Sequence, residues 1–150
     1  RFLNRMNAVV FETVYEPGVL EAAAYRDGLE VSRDILKTAS DAVEMKITAD
    51  CREIPADGSD ICYVELELVD AEGIRNPGEI RKVSVSVDGT GYLLGFGSAD
   101  PESEENYFDT EARTYEGRLR AAIRAKEAGI INVTFTGANM KSKSVQISAK

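Results

Sequence analysis

The chain contains no histidine and no tryptophan, and it has only two cysteines and four prolines in 150 residues. Without histidine, the usual arrangements of nucleophile, base and orienting group lose their commonest base. Two cysteines alone cannot complete a zinc site of four nitrogen or sulfur ligands, so neither a resident metal nor a cofactor is expected. No apolar run approaches the roughly 20 residues that cross a bilayer, and the sequence carries no signal-peptide or lipidation pattern. Because it opens on Arg1-Phe2-Leu3 without Met, it reads as a fragment or processed piece, and the missing signal says nothing about the parent's compartment. Basic residues are in deficit too. Eighteen Lys and Arg against 26 Asp and Glu give a net charge of −8, which argues against nucleic acid or an anionic membrane as partner.

What is present is alternation. Between the turn signals Asp57-Gly58 and Ala71-Glu72-Gly73, the residues Cys62, Val64, Leu66 and Leu68 alternate with Tyr63, Glu65, Glu67 and Val69. That is the pattern of a half-buried strand. Its apolar side needs a second sheet to cover it, while the carboxylates stay in water, which predicts a β-sandwich. Val43 to Ala49 precedes it with the same period, and Pro55 ends the pairing. Val83 to Val87 is the cleanest alternation, followed by Tyr92 to Phe96, where Gly95 and Gly97 flank Phe96 and suggest a bulge or a close backbone approach. Residues 118–124 alternate Leu119, Ala121 and Ile123 with Arg118, Arg120 and Arg124; strand is preferred to helix because Glu127-Ala128-Gly129 makes a hairpin to Ile131, Val133 and Phe135. Val145 and Ile147 close the sheet. About seven strands over residues 41–150 fit an immunoglobulin-like β-sandwich, although the absence of Trp excludes the antibody-type core.

Upstream, Val9 to Tyr15, Leu20 to Tyr25 and Glu30 to Leu36 read as three strands joined at Glu16-Pro17-Gly18 and Asp27-Gly28, with Val31 and Ile35 pointing inward. Three strands leave an apolar face uncovered. Residues 1–40 are therefore expected to be the last strands of an incomplete preceding sandwich, and residues 41–150 a complete one, the boundary falling in Lys37 to Asp41. Residues 9–36 should self-associate through uncovered edges.

The cysteines leave two outcomes open. Cys62 is placed inward, where a small thiol packs well, and Cys51 lies at the end of the preceding strand. A disulfide forms only where register brings their Cα atoms within about 7 Å.

Residues 98–117 form a long irregular stretch. Its acids, Asp100, Glu102, Glu104, Glu105 and Asp109, could in principle bind calcium, but their spacing fits no EF-hand loop. The alternative is that Asp100 binds backbone donors of its own turn, before Pro101, while the other acids are solvated. Tyr107, Phe108 and Tyr115 could stack on a sugar, or could pin the loop to the sandwich edge. Arg113 and Arg118 could contact a ligand, or could pair with the acidic loop.

Three segments, ADGSDICYVELELVDAEG, VSVSVDGTGYLLGFGSADPES and ARTYEGRLRAAIRA, resemble the C-terminal immunoglobulin-like, invasin-like domain of family 2 glycoside hydrolases of the β-galactosidase type. That family carries an Asp-Gly turn before a Val-rich strand, a Gly-Asn-Gly-Asp-Pro loop and an aromatic-x-Gly-Arg step. The counterparts here are Asp57-Gly58, Gly97-Ser98-Ala99-Asp100-Pro101 and Tyr115-Glu116-Gly117-Arg118, with Ser98 and Ala99 in place of Asn and Gly. The resemblance implies a structural loop motif of Gly97, Asp100, Pro101, Gly117 and Arg118. The family's catalytic glutamates lie in a (β/α)8 barrel that this chain lacks, so no catalytic residue is carried over. It implies a scaffold or accessory domain whose partners are the catalytic and sandwich domains of the same parent, and it favours an exported parent. A freestanding carbohydrate-binding or adhesion module with the same fold is the alternative.

Overall fold

The computed structural model describes residues 10–41 and 43–150. The chain divides after Thr38 into two compact units.

The first unit is a hairpin, β1 (Val19–Arg26) and β2 (Leu29–Lys37), turned by Asp27 and Gly28 at φ 53° and 80°. Left-handed angles at both turn positions match the twist of the flanking strands. The expected strand from Val9 to Tyr15 is absent from the described residues 10–15, and Val9 lies outside them. Alternation alone does not make a strand: a pleated segment needs a hydrogen-bonding neighbour, and residues 10–16 take no place in the β1–β2 ladder. Val31 and Ile35, expected inward, are exposed, because the described residues of this unit form a single two-stranded sheet and no second sheet to cover it.

The second unit is a two-sheet sandwich. One sheet has the order β3-β5-β9-β7, from β3 (Glu44–Ala49), β5 (Cys62–Val69), β7 (Gly91–Gly97) and β9 (Arg118–Ala125). The other has the order β4-β11-β10-β6-β8, from β4 (Glu53–Ile54), β6 (Lys82–Gly89), β8 (Glu111–Arg113), β10 (Gly129–Gly137) and β11 (Lys143–Ala149). Among the described residues, only the β11–β4 pair is parallel, and nine strands stand where about seven were expected. The additions, β4 and β8, are two and three residues long, too short to display a period. One of them also displaces β11 from the edge, since β4 pairs beyond it.

Each strand sends its apolar set inward. Val64, Leu66, Leu68, Val83, Val85, Ile123, Ile131, Val133, Phe135 and Ile147 are all buried in one cluster, with Val87 packed at its margin. Glu65 and Glu67 face out. Phe96 of β7 and Phe135 of β10 meet between the sheets with ring centroids 6.0 Å apart and planes tilted by 51°, an edge-inclined arrangement that aromatic rings prefer.

Cys51 and Cys62 are joined in a disulfide, their Cα atoms 5.8 Å apart. Pairing of Ala49 with Val64 sets the register that continues to this pair. Among the described residues, the one group of metal-type ligand atoms is Asp50, Cys51 and Cys62, and the disulfide takes both of its sulfurs.

Asp70 is the buried acid that sequence reasoning missed. Its Oδ1 accepts from the backbone N–H of Glu72 and Ile74 at 3.0 and 2.9 Å, and its Oδ2 from that of Ser40 at 2.9 Å. The hydrogen bonds from Ser40 and Ile74 hold its carboxyl below the ordinary aspartate range. A lowered native pKa contributes stability that is complete above the unfolded value and is lost as pH falls through the native one. Asp70→Asn is therefore expected to lower Tm by roughly 3–6 °C at neutral pH. The gap to the parent protein should then shrink below about pH 4. Thermal scans at several pH values check this, and a gap that stays constant to pH 2.5 would contradict it.

Candidate functional site

The residues singled out in the sequence gather where β7 ends, β9 begins and the 98–117 loop crosses. Gly97 closes β7, and a Cβ there would lie 2.3 Å from Tyr107 Cδ1, so only glycine lets the tyrosine ring rest on the strand. Tyr107 also donates its hydroxyl to the Ser98 carbonyl at 3.4 Å and accepts the Phe96 N–H at its own carbonyl at 2.7 Å. The ring remains 55% exposed. Phe108 is 81% exposed and Tyr115 37%; Tyr107 therefore pins the loop while Phe108 stands clear of it.

Asp100 accepts the Glu102 N–H at Oδ1, 3.0 Å away, and its carbonyl accepts from Ser103 at 3.3 Å. Pro101 sits exposed inside that turn, where its fixed φ suits the second position. Glu105 Oε2 accepts the backbone N–H of Arg113 at 3.0 Å. These two acids are thus occupied in shaping their own loop.

Arg118 does not pair with that loop. Its Nε and Nη2 donate to Glu67 Oε1 on β5 at 3.2 and 3.1 Å, across a direct β5–β9 register pair. Partial burial pushes the Glu67 carboxyl upward, but hydrogen bonds from Arg118 and Lys46 outweigh it and hold the group below the usual glutamate range. Just before Arg118, Glu116 and Gly117 form a two-residue turn at φ 48° and 71°, closed by Tyr115 and Arg118 at 3.1 and 2.9 Å. A Cβ at Gly117 would lie 2.4 Å from the Asn76 carbonyl oxygen. The Glu116 carbonyl accepts from Arg75 Nη1 at 2.6 Å. The aromatic-x-Gly-Arg step is thus a tight hairpin clamped onto the 75–76 segment.

Between these parts lies a cavity of about 340 Å³, bounded by Glu65, Ser98, Ala99, Tyr115, Arg118 and Arg120. A second, of about 550 Å³, lies over the acidic loop and is bounded by Asp100, Glu102, Glu104, Arg113 and Tyr115. Sequence reasoning also missed Thr114. Its buried Oγ1 accepts from the Arg81 N–H at 2.9 Å and donates to the Glu79 carbonyl at 3.0 Å, tying the loop's return to the segment before β6; no sequence signal marks it.

Residues 45–146 match the profile of glycoside hydrolase family 2 C-terminal domain 5. The chain belongs to that family. A β-galactosidase of Bacteroides ovatus, BoGH2A, is 27% identical over 143 residues, a match covering 95% of this chain and 17% of that protein. A β-glucuronidase of Formosa agariphila is 28% identical, with 96% of this chain and 15% of that protein covered. Among solved structures, a family 2 member from Bacteroides cellulosilyticus superposes with a TM-score of 0.90 at 35% identity, over 96% of this chain and 19% of that one. The chain thus spans less than a fifth of the length of each.

Proposed function

We propose that the family 2 domain serves as a non-catalytic, immunoglobulin-like accessory domain of a β-galactosidase-like glycoside hydrolase. The carrying observation is the family match over residues 45–146 within a chain that spans under a fifth of its glycosidase relatives. The state of the acids supports the same reading. Glycoside hydrolysis needs two carboxyl groups across a sugar-sized cleft, about 5 Å apart for retention or about 6.5–9.5 Å for inversion. Here Asp100 and Glu105 cap backbone N–H groups, and Glu67 is held by Arg118 and Lys46.

The hairpin of β1 and β2 is read as the end of a preceding sandwich, with its apolar residues covered by the remainder of the parent; on the isolated chain those strands are sites for self-association. The Cys51–Cys62 disulfide favours an exported parent, since such bonds persist in oxidising compartments. Carbohydrate contact by Tyr107, Phe108 and Tyr115 belongs to the rival reading of a binding module, favoured by the exposure of Phe108.

A panel of chromogenic galactosides and glucuronides tests the proposal. No turnover above the uncatalysed rate is expected of the 150-residue chain. Turnover that survives purification and disappears in Glu104→Gln or Glu105→Gln would overturn the accessory reading, and saturable binding of oligosaccharide on the loop aromatics would select the rival.

A further inference from the structure

The outward face of the β3-β5-β9-β7 sheet carries a cluster that neither the loop motif nor the family match uses. Along β9, Arg120, Ala122 and Arg124 point away from the core, between buried Leu119, Ala121, Ile123 and Ala125. Register places Tyr63 of β5 beside Ala122, Gly95 of β7 on its other side, and Tyr92 beside Arg124. The floor at Ala122 and Gly95 is therefore low, and two tyrosines and two arginines rise around it. Strand spacing and rise put the Cα atoms of Tyr63 and Tyr92 about 12 Å apart.

The charges there are unevenly answered. Arg120 stacks over the Tyr63 ring at 5.8 Å and has Glu65 Oε1 3.5 Å away. Arg124 Nε is buried without a hydrogen-bond partner. Lys126 Nζ lies 5.7 Å over the Tyr92 ring. Among the described residues, no carboxylate forms an ion pair with Arg124 or Lys126. On a chain of net charge −8, this is a local cationic site, and a buried guanidinium nitrogen left unsatisfied is costly.

We propose that this face binds a carboxylate-bearing sugar, a hexuronate within an oligosaccharide, with Arg124 and Lys126 receiving the carboxylate. A planar guanidinium matches a carboxylate in charge and geometry, and Tyr63 and Tyr92, each with a cation over one ring face, flank the low floor on which a pyranose ring would lie. The proposal stands whether or not the parent is a glycosidase.

Calorimetric titration of the 150-residue chain with trigalacturonate tests it, beside the carboxyl-reduced trisaccharide and a sulfated oligosaccharide of equal charge. Saturable binding of trigalacturonate is expected, with the reduced and sulfated sugars at least about tenfold weaker and Arg124→Gln costing about tenfold or more. Lys141→Gln, exposed in the turn between β10 and β11, should leave binding unchanged. If Arg124→Gln does not fold, Lys126→Gln, on an exposed side chain, carries the same expectation. Absence of saturable binding, equal affinity for the reduced or sulfated sugar, or full affinity in a folded Arg124→Gln or Lys126→Gln protein would each overturn the proposal.

Discussion

Phe135→Ala is expected to destabilise the sandwich by about 3–5 kcal/mol, the cost of removing a buried aromatic ring and leaving a cavity that its neighbours fill only in part. The ring is fully buried and meets Phe96 across the two sheets, so no exposed side chain can swing in to replace it. Such a loss is a large share of the roughly 5–15 kcal/mol by which domains are stable. Ile130→Ala, on the same strand but 48% exposed, should stay within about 0.5 kcal/mol. Urea unfolding checks the pair: the Phe135 variant should lower the midpoint without changing the slope. A register shifted by one residue would exchange the two outcomes, and a large effect at Ile130 with a small one at Phe135 would refute the core described above.

The same periodicity explains what could be read without coordinates. Val64, Leu66 and Leu68 against Glu65 and Glu67 fixed the inward face of β5, because a period of two leaves a half-buried strand one orientation. The short strands could not be read that way. Ile54 in β4 and Ala112 in β8 are buried, but each is a single inward residue and a single residue has no period. Asp70 had a local signal, an Asp opening the Ala71-Glu72-Gly73 turn, yet its third partner, Ser40, lies 30 residues away. The loop residues divided similarly. Asp100 could be assigned to its own turn from local chemistry, whereas the pairing of Arg118 with Glu67 depends on β5 and β9 being neighbours, a contact across 51 residues. The cationic face escaped for the same reason: Tyr63, Tyr92 and Arg124 come from three strands.

The disulfide shows the limit most directly, and its removal has the other large expected effect. Cys51 and Cys62 are 11 positions apart, and between them the chain leaves the first sheet, pairs as β4 with β11 in the second, and returns. No local pattern gives the register across that excursion. The bond closes a short loop around the segment that crosses between the sheets, so it limits how far the unfolded chain can spread. For a loop of this length the chain-entropy account gives nearly 3 kcal/mol. Cys51→Ala/Cys62→Ala should lose about that amount, and reduction of the parent protein should bring its unfolding midpoint to the same place. Hydrogen exchange should quicken first in the segment that the bond encloses, residues 52–61, rather than in the long ladder of β6 and β10. The non-reduced protein, unfolded in guanidinium, should present no free thiol to a chromogenic reagent. Two reactive thiols per chain would remove the bond from the structure, and with it the support it lends to an exported parent.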